Sequence, residues 1–128
     1  MNHGLAFVLG LAAFGGTYCV PVMAQSTERG KALYESRCVA CHSVDANRVG
    51  PAHQGVVGRK AGSAAGFEYS KALANSKLVW TRANLVDWLA GPENVIPGQV
   101  MNYSLGDARE REDVVAYLAT LSVKSARP

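Results

Sequence analysis

The sequence predicts an all-α domain. Three segments hold apolar residues at helical spacing, each behind a residue suited to cap a helix. No stretch alternates apolar with polar residues as a half-buried strand would, and no internal repeat occurs. The segments between the helices are long and rich in glycine and proline. Loops of that length in a compact domain are usually functional, so here they are expected to wrap something.

The chain has 128 residues, the size of one domain. Its first part stands apart: no Asp, Glu, Lys or Arg precedes Glu28. Leu5 to Phe14 is an apolar run, Gly15-Gly16 and Pro21 follow, and Val22-Met23-Ala24 offers small residues for cleavage. Residues 1–24 therefore read as a secretory signal peptide, cleaved so that Gln25 begins a domain over 25–128. The competing reading is an uncleaved membrane anchor, since the uncharged stretch is long enough to span a bilayer. The n-region lacks Lys and Arg, but the glycines and the proline interrupt the run. Export places the domain in the periplasm, with no stable membrane insertion once the leader is removed. The net charge of +3 falls on the mature domain. That mild balance, with no basic run interleaved with aromatics, gives no argument for nucleic acid.

The helices follow in order. Ser26 caps the first, with Glu28 at the positive end of its dipole and Gly30, Leu33, Tyr34 and Arg37-Cys38 at helical spacing. Gly30 inside a helix costs about 1 kcal/mol against Ala, which suggests close approach of another helix. Ser43 to Gly66 holds five glycines and no periodicity. Tyr69 to Asn75 is a short helix. Thr81 caps another, with Leu85, Val86, Trp88 and Leu89 on one side, and Gly91-Pro92 stops it. Gly91 to Leu105 again lacks periodicity and contains Met101. Asp107 and Glu110 start a last helix with Val114, Tyr117, Leu118 and Leu121 as its apolar stripe.

The chemistry concentrates in Cys38-Val39-Ala40-Cys41-His42. C-x-x-C-H is the attachment signal for a c-type haem: two thiols form thioethers and the adjacent imidazole serves as an iron ligand. The chain has three cysteines, and removal of Cys19 with the leader leaves only this pair. In an oxidising compartment a bare C-x-x-C would be a disulfide or a redox dithiol. A thioredoxin-like site wants a βαβ pattern that is absent here. Zinc wants four ligands, and Cys38, Cys41 and His42 supply three.

With these residues in place, the chain resembles the small class I cytochromes c of the mitochondrial, c2 and c550 type. The resemblance runs from Gly30 to Leu121. It rests on C-V-A-C-H at 38–42, G-P-A-H-Q-G-V-V-G-R at 50–59, Trp80, I-P-G-Q-V-M at 96–101 and R-E-D-V-V-A-Y-L at 111–118. It implies the cytochrome c fold, with N- and C-terminal helices crossing and further helices and long loops wrapped around one covalent haem c. Residue by residue, Cys38 and Cys41 match the thioether cysteines and His42 the proximal iron ligand. Pro51 matches the proline whose carbonyl accepts from that histidine, and Met101 the distal ligand. Arg59, Tyr69 and Trp80 match residues around the haem propionates. Gly30, Tyr34 and Tyr117 match the helix crossing.

The chain also departs from the mitochondrial pattern. Trp88 stands for a tyrosine near the methionine sulfur, Gln99 for a threonine on a propionate, and His53 for a leucine beside the proximal ligand. His53 is expected as a polar, partly exposed neighbour, not as an iron ligand. Glu93, Asn94 and Val100 replace docking lysines, and Arg37 alone keeps an obvious basic counterpart, so docking is not expected to use a strongly basic face. The resemblance implies a monomeric electron carrier, not an enzyme. Its partners would be redox proteins, a reductase or dehydrogenase as donor and an oxidase or reductase as acceptor. Two alternatives are a dedicated haem subunit of a periplasmic dehydrogenase complex and an open-site haem protein with a peroxidase or gas-sensing role.

Overall fold

The computed structural model describes residue 1 and residues 24–121. Apart from Met1 and Ala24, the expected leader lies outside the described residues, as does Cys19. Among the described residues five helices occur: α1 (Thr27–Arg37), α2 (Lys71–Ala74), α3 (Arg82–Ala90), α4 (Pro92–Val95) and α5 (Ala108–Thr120). Among the described residues the only β pairing is an isolated antiparallel bridge between Lys60 and Val79. No described helix is long and apolar enough to cross a membrane.

α1 begins as its residues dictate. The Ser26 hydroxyl accepts from the Arg29 N–H at 3.2 Å, and Glu28 sits in the first turn. Gly30 and Tyr34, one turn apart, form its buried face. That face crosses α5 so closely that backbone meets backbone: a Cβ on Gly30 would lie 1.9 Å from the Asp113 carbonyl oxygen. The absent side chain is what admits this crossing.

α5 buries more than the predicted stripe. Val114 and Leu118 are buried, but so are Val115, Ala116 and Asp113, while Tyr117 and Leu121 are only half-buried. The reason is that α5 packs against both α1 and α3, so a single stripe does not describe it. Asp113 is 2% exposed and would be costly there without partners. Its carboxylate accepts from the Ser26 N–H at 2.7 Å and from Arg29 Nε and Nη2 at 2.7 and 3.1 Å. The Arg29 guanidinium holds the Asp113 carboxyl below the usual carboxylate range. The chain just before α1 is tied down by the same group of side chains. Arg29 Nη2 donates to the Ala24 carbonyl at 3.2 Å, Gln25 Nε2 donates to Glu112 at 2.6 Å, and Arg82 Nη2 donates to Gln25 Oε1 at 2.6 Å.

α3 starts at Thr81 as expected, and Asn84 completes a reciprocal capping box with it. α2 is shorter than the predicted Tyr69–Asn75, with Ser70 as its cap. α4 corrects the reading of 91–105 as wholly irregular. Gly91 caps a four-residue helix with Pro92 in its first turn, a position where a missing N–H costs nothing. Four residues are too few to show periodicity. Trp80, Leu85, Trp88, Leu89, Val114 and Leu118 join Tyr34 in the buried cluster. This cluster backs onto the cavity that holds the functional residues.

Candidate functional site

The C-x-x-C-H segment leaves the end of α1 as a tight coil. The Cys38 N–H closes the helix onto the Tyr34 carbonyl at 2.9 Å. The Cys41 and His42 N–H groups then both return to the Cys38 carbonyl, at 3.1 and 2.9 Å. This turn sets Cys38, Cys41 and His42 in the wall of one cavity of about 320 Å³. Burial, followed by the nearby Cys41, pushes the free Cys38 thiol up to about 11. Among the described residues no three His, Cys, Asp or Glu side chains converge to hold a bare metal ion. That geometry gives the zinc alternative no closed donor set.

His42 is oriented by its second ring nitrogen. Nδ1 lies 2.8 Å from the Pro51 carbonyl oxygen. A carbonyl only accepts, so Nδ1 carries the proton and Nε2 keeps its lone pair. Burial holds the His42 pKa below its ordinary value, with the Pro51 bond opposing. Gly50 lies against the same ring. A Cβ there would stand 2.2, 2.6 and 2.7 Å from Cε1, Nδ1 and Nε2, over the ring face.

His53 is not simply a polar neighbour. Its ring stacks on that of His42 with centroids 4.1 Å apart and planes at 21°. Its Nδ1 lies 3.0 Å from the Tyr34 hydroxyl. Burial, and then the proximity of His42 and Arg59, push its pKa down to about 3, so the ring is neutral at pH 7.

Met101 lines the same cavity. Its sulfur accepts from the indole Trp88 Nε1 at 3.1 Å. A thioether sulfur has two lone pairs, so one remains for a metal. The loop that carries it is held by Gln99, which is nine-tenths buried. Gln99 Oε1 accepts from the N–H groups of Met101 and Asn102 at 2.7 and 3.3 Å. Asn102 has φ of 48°, the left-handed region that costs a side-chain-bearing residue energy. Glu93 supports the same turn, accepting from Gln99 Nε2 at 3.3 Å and from the Gly98 N–H at 2.9 Å. Gln99, which stands for a propionate contact in the related pattern, thus turns its carbonyl to the Met101 loop. Glu93, at a docking position of that pattern, is exposed and bonds to the same loop.

Arg59, Tyr69 and Trp80 also line the cavity. Arg59 Nη1 and Nη2 donate to the carbonyls of Gln54 and Ala52 at 3.0 and 2.8 Å, which fixes the chain beside His53. Its Nε is buried without a protein partner. A buried cationic N–H of this kind suits a carboxylate. The Tyr69 hydroxyl accepts from the Ala64 N–H at 3.1 Å and still has its own proton to give. Trp80 packs edge-on against Trp88 with centroids 5.1 Å apart. Two thiols, an imidazole nitrogen with a free lone pair, a thioether and an unpaired guanidinium N–H in one largely apolar cavity fit a haem c with its propionates.

Sequence reasoning named each of these positions but missed the work of Gln99, Glu93 and Gly50. A glycine beside the proline that orients the ligand was the available signal for Gly50. Comparison with known proteins agrees with the geometry. A family model described as cytochrome c matches residues 27–122. The cytochrome c2 of Rhodopseudomonas palustris (strain ATCC BAA-98 / CGA009) is 39% identical, covering 94% of this chain and 99% of its own length. The structure of ferricytochrome c2 from Rhodopseudomonas palustris superposes with a TM-score of 0.71 at 42% identity, over 76% of this chain and 99% of that one. Cytochrome cH from Methylobacterium extorquens superposes with a TM-score of 0.70 at 40% identity, over 74% of this chain and 98% of that one.

Proposed function

Since the chain belongs to the cytochrome c family, we propose that Cys38 and Cys41 hold its haem as thioethers and that His42 and Met101 ligate the iron. The protein is an electron carrier with one covalently attached haem c, and its partners are redox proteins. The haem supplies the ferric/ferrous couple that stores one electron. The dehydrogenase-subunit and open-site alternatives are not favoured beside relatives named cytochrome c2.

Every other contribution comes from the chain. Pro51 fixes the proton on His42 Nδ1 and so directs Nε2 to the metal. Met101 offers a neutral thioether, which favours ferrous over ferric iron and raises the potential. Trp88 holds one sulfur lone pair and leaves the other. Arg59 Nε, buried without a protein partner in the cavity that Tyr69 and Trp80 also line, would meet the propionates. The buried cluster behind the cavity keeps water away and limits reorganisation.

The single observation that carries this reading is the pairing of His42 Nδ1 with Pro51 in a cavity that also holds the Met101 sulfur. The ferric holoprotein is expected to show a methionine–iron charge-transfer band in the far red, and the reduced protein is expected not to bind carbon monoxide. Met101→Ala should abolish the band and lower the midpoint potential. An unchanged band would assign the ligand elsewhere.

The domain starts at Gln25, after a leader of residues 1–24 that directs it to the periplasm, where it acts as a soluble monomer in a respiratory chain. The run of uncharged residues before Glu28 supports this. Mass spectrometry of the periplasmic protein should give a chain beginning at Gln25, with haem added. A membrane-bound product retaining residue 1 would establish the anchor instead.

A further inference from the structure

His42 has one hydrogen-bonded restraint, the Pro51 carbonyl at Nδ1. That bond holds a ring edge, and Gly50 lies over the ring near Cε1, but neither presents a flat surface parallel to the ring plane. The plane matters for a metal ligand, because its direction sets which metal orbital it overlaps. His53 supplies that surface: a flat ring stacks on His42 with centroids 4.1 Å apart and planes at 21°. His53 is itself fixed. Its Nδ1 meets the Tyr34 hydroxyl at 3.0 Å, and the Tyr34 ring stands edge-on to it with centroids 5.6 Å apart. Tyr34 is buried in α1 and packs on Tyr117 of α5, with centroids 5.3 Å apart. A continuous series of contacts thus runs from the helix crossing to the proximal histidine.

We propose that His53 is a positioning residue for His42, held by the Tyr34 hydroxyl, and that this pair sets the orientation of the proximal imidazole plane. This rests on His42 being the proximal ligand. The stack is the part that acts on His42, and the Tyr34 bond acts only through His53. A flat ring of another kind should therefore replace His53 better than an aliphatic side chain.

The test uses the ferric holoprotein and reads the haem-methyl proton shifts by NMR and the low-spin g values by electron paramagnetic resonance. Both respond to the orientation of the axial ligands, which a merely structural role would leave alone. His53→Leu is expected to change the spread of the methyl shifts and the g values while the far-red methionine band stays. Tyr34→Phe should move them in the same direction by a smaller amount. His53→Phe should return them toward wild type. Tyr34→Phe added to His53→Leu should change nothing further, since Tyr34 acts through His53. Wild-type shifts and g values in His53→Leu would overturn the proposal. Should that variant fail to take up haem, wild-type values in Tyr34→Phe would overturn it equally. A wild-type protein without a low-spin His/Met spectrum would instead overturn the ligand assignment on which the proposal stands.

Discussion

The indole N–H of Trp88 donates to the sulfur of Met101 across 3.1 Å. A hydrogen bond to a thioether draws electron density from it and weakens its donation to ferric iron. Trp88→Phe keeps an aromatic ring in the buried site and removes only the donor. The midpoint potential of the holoprotein should fall, with the far-red band retained. Redox titration followed in the visible spectrum measures this, and an equal or higher potential would show that the bond does not tune the metal.

Gln99 holds the Met101 loop through a single oxygen shared by two N–H groups. Gln99→Leu keeps the bulk and leaves both N–H groups without that partner, at a cost of about 1–3 kcal/mol. Asn102, already at positive φ, is then free to relax. The far-red band should disappear at a lower temperature than in wild type, while the Soret band remains. Equal melting of the two features in both proteins would contradict this.

Gly30 admits no side chain, because the atoms in the way belong to the α5 backbone. Gly30→Ala must push the helices apart, and overpacking of this kind costs about 1–3 kcal/mol or more. Thermal unfolding of the holoprotein should show a clearly lower midpoint. An unchanged midpoint would mean that the crossing is looser than the distances here indicate.

Asp113 gives a pH dependence of known sign. Its folded-state pKa is depressed below the ordinary 3.8, chiefly by the hydrogen bond from Arg29. The unfolded state therefore takes up this proton first as pH falls. The stability that Asp113 contributes is complete above pH 3.8 and is lost as pH drops through the folded-state value. Asp113→Asn should cost about 1.5 kcal/mol near neutral pH. It should also flatten the fall in stability on acidification below that point. Denaturant titrations of both proteins across the acid range test it, and parallel curves would refute it.

Local signals made the framework legible. Ser26, Thr81 and Asp107 cap the three longer helices because short polar side chains reach the free N–H groups of the turn that follows. Each of those bonds spans three residues, so it is written locally. The thiols and His42 were legible for the same reason. What stayed hidden depends on distance along the chain. Asp113 looks like a surface residue of α5 until Ser26 and Arg29, 87 and 84 positions away, arrive beside it. His53 and Tyr34 are 19 residues apart, and neither residue type announces a stack on a ligand. Gln99 reads as a loop polar residue because the bond it makes is to backbone, which every sequence shares. α4 went unread because Pro92 was taken only as a stop. A proline that ends one helix also has the φ to begin the next.

The clasp on Ala24, Gln25 and Ser26 bears on the order of events in the export proposed above. Arg29 holds Ala24, Glu112 and Arg82 hold Gln25, and Asp113 holds the Ser26 N–H. A peptidase that cuts after Ala24 must grip the chain in extended form on both sides of that bond. Gln25 and Ser26 are unable to lie in such a grip while Ser26 caps α1 and its N–H binds Asp113. The proposed cleavage after Ala24 would therefore have to precede the docking of α1 on α5, or wait for that corner to open. The corner that seats Ser26 on Asp113 would thus act as a clock for the proposed leader: removal is easy before it closes and slow afterwards.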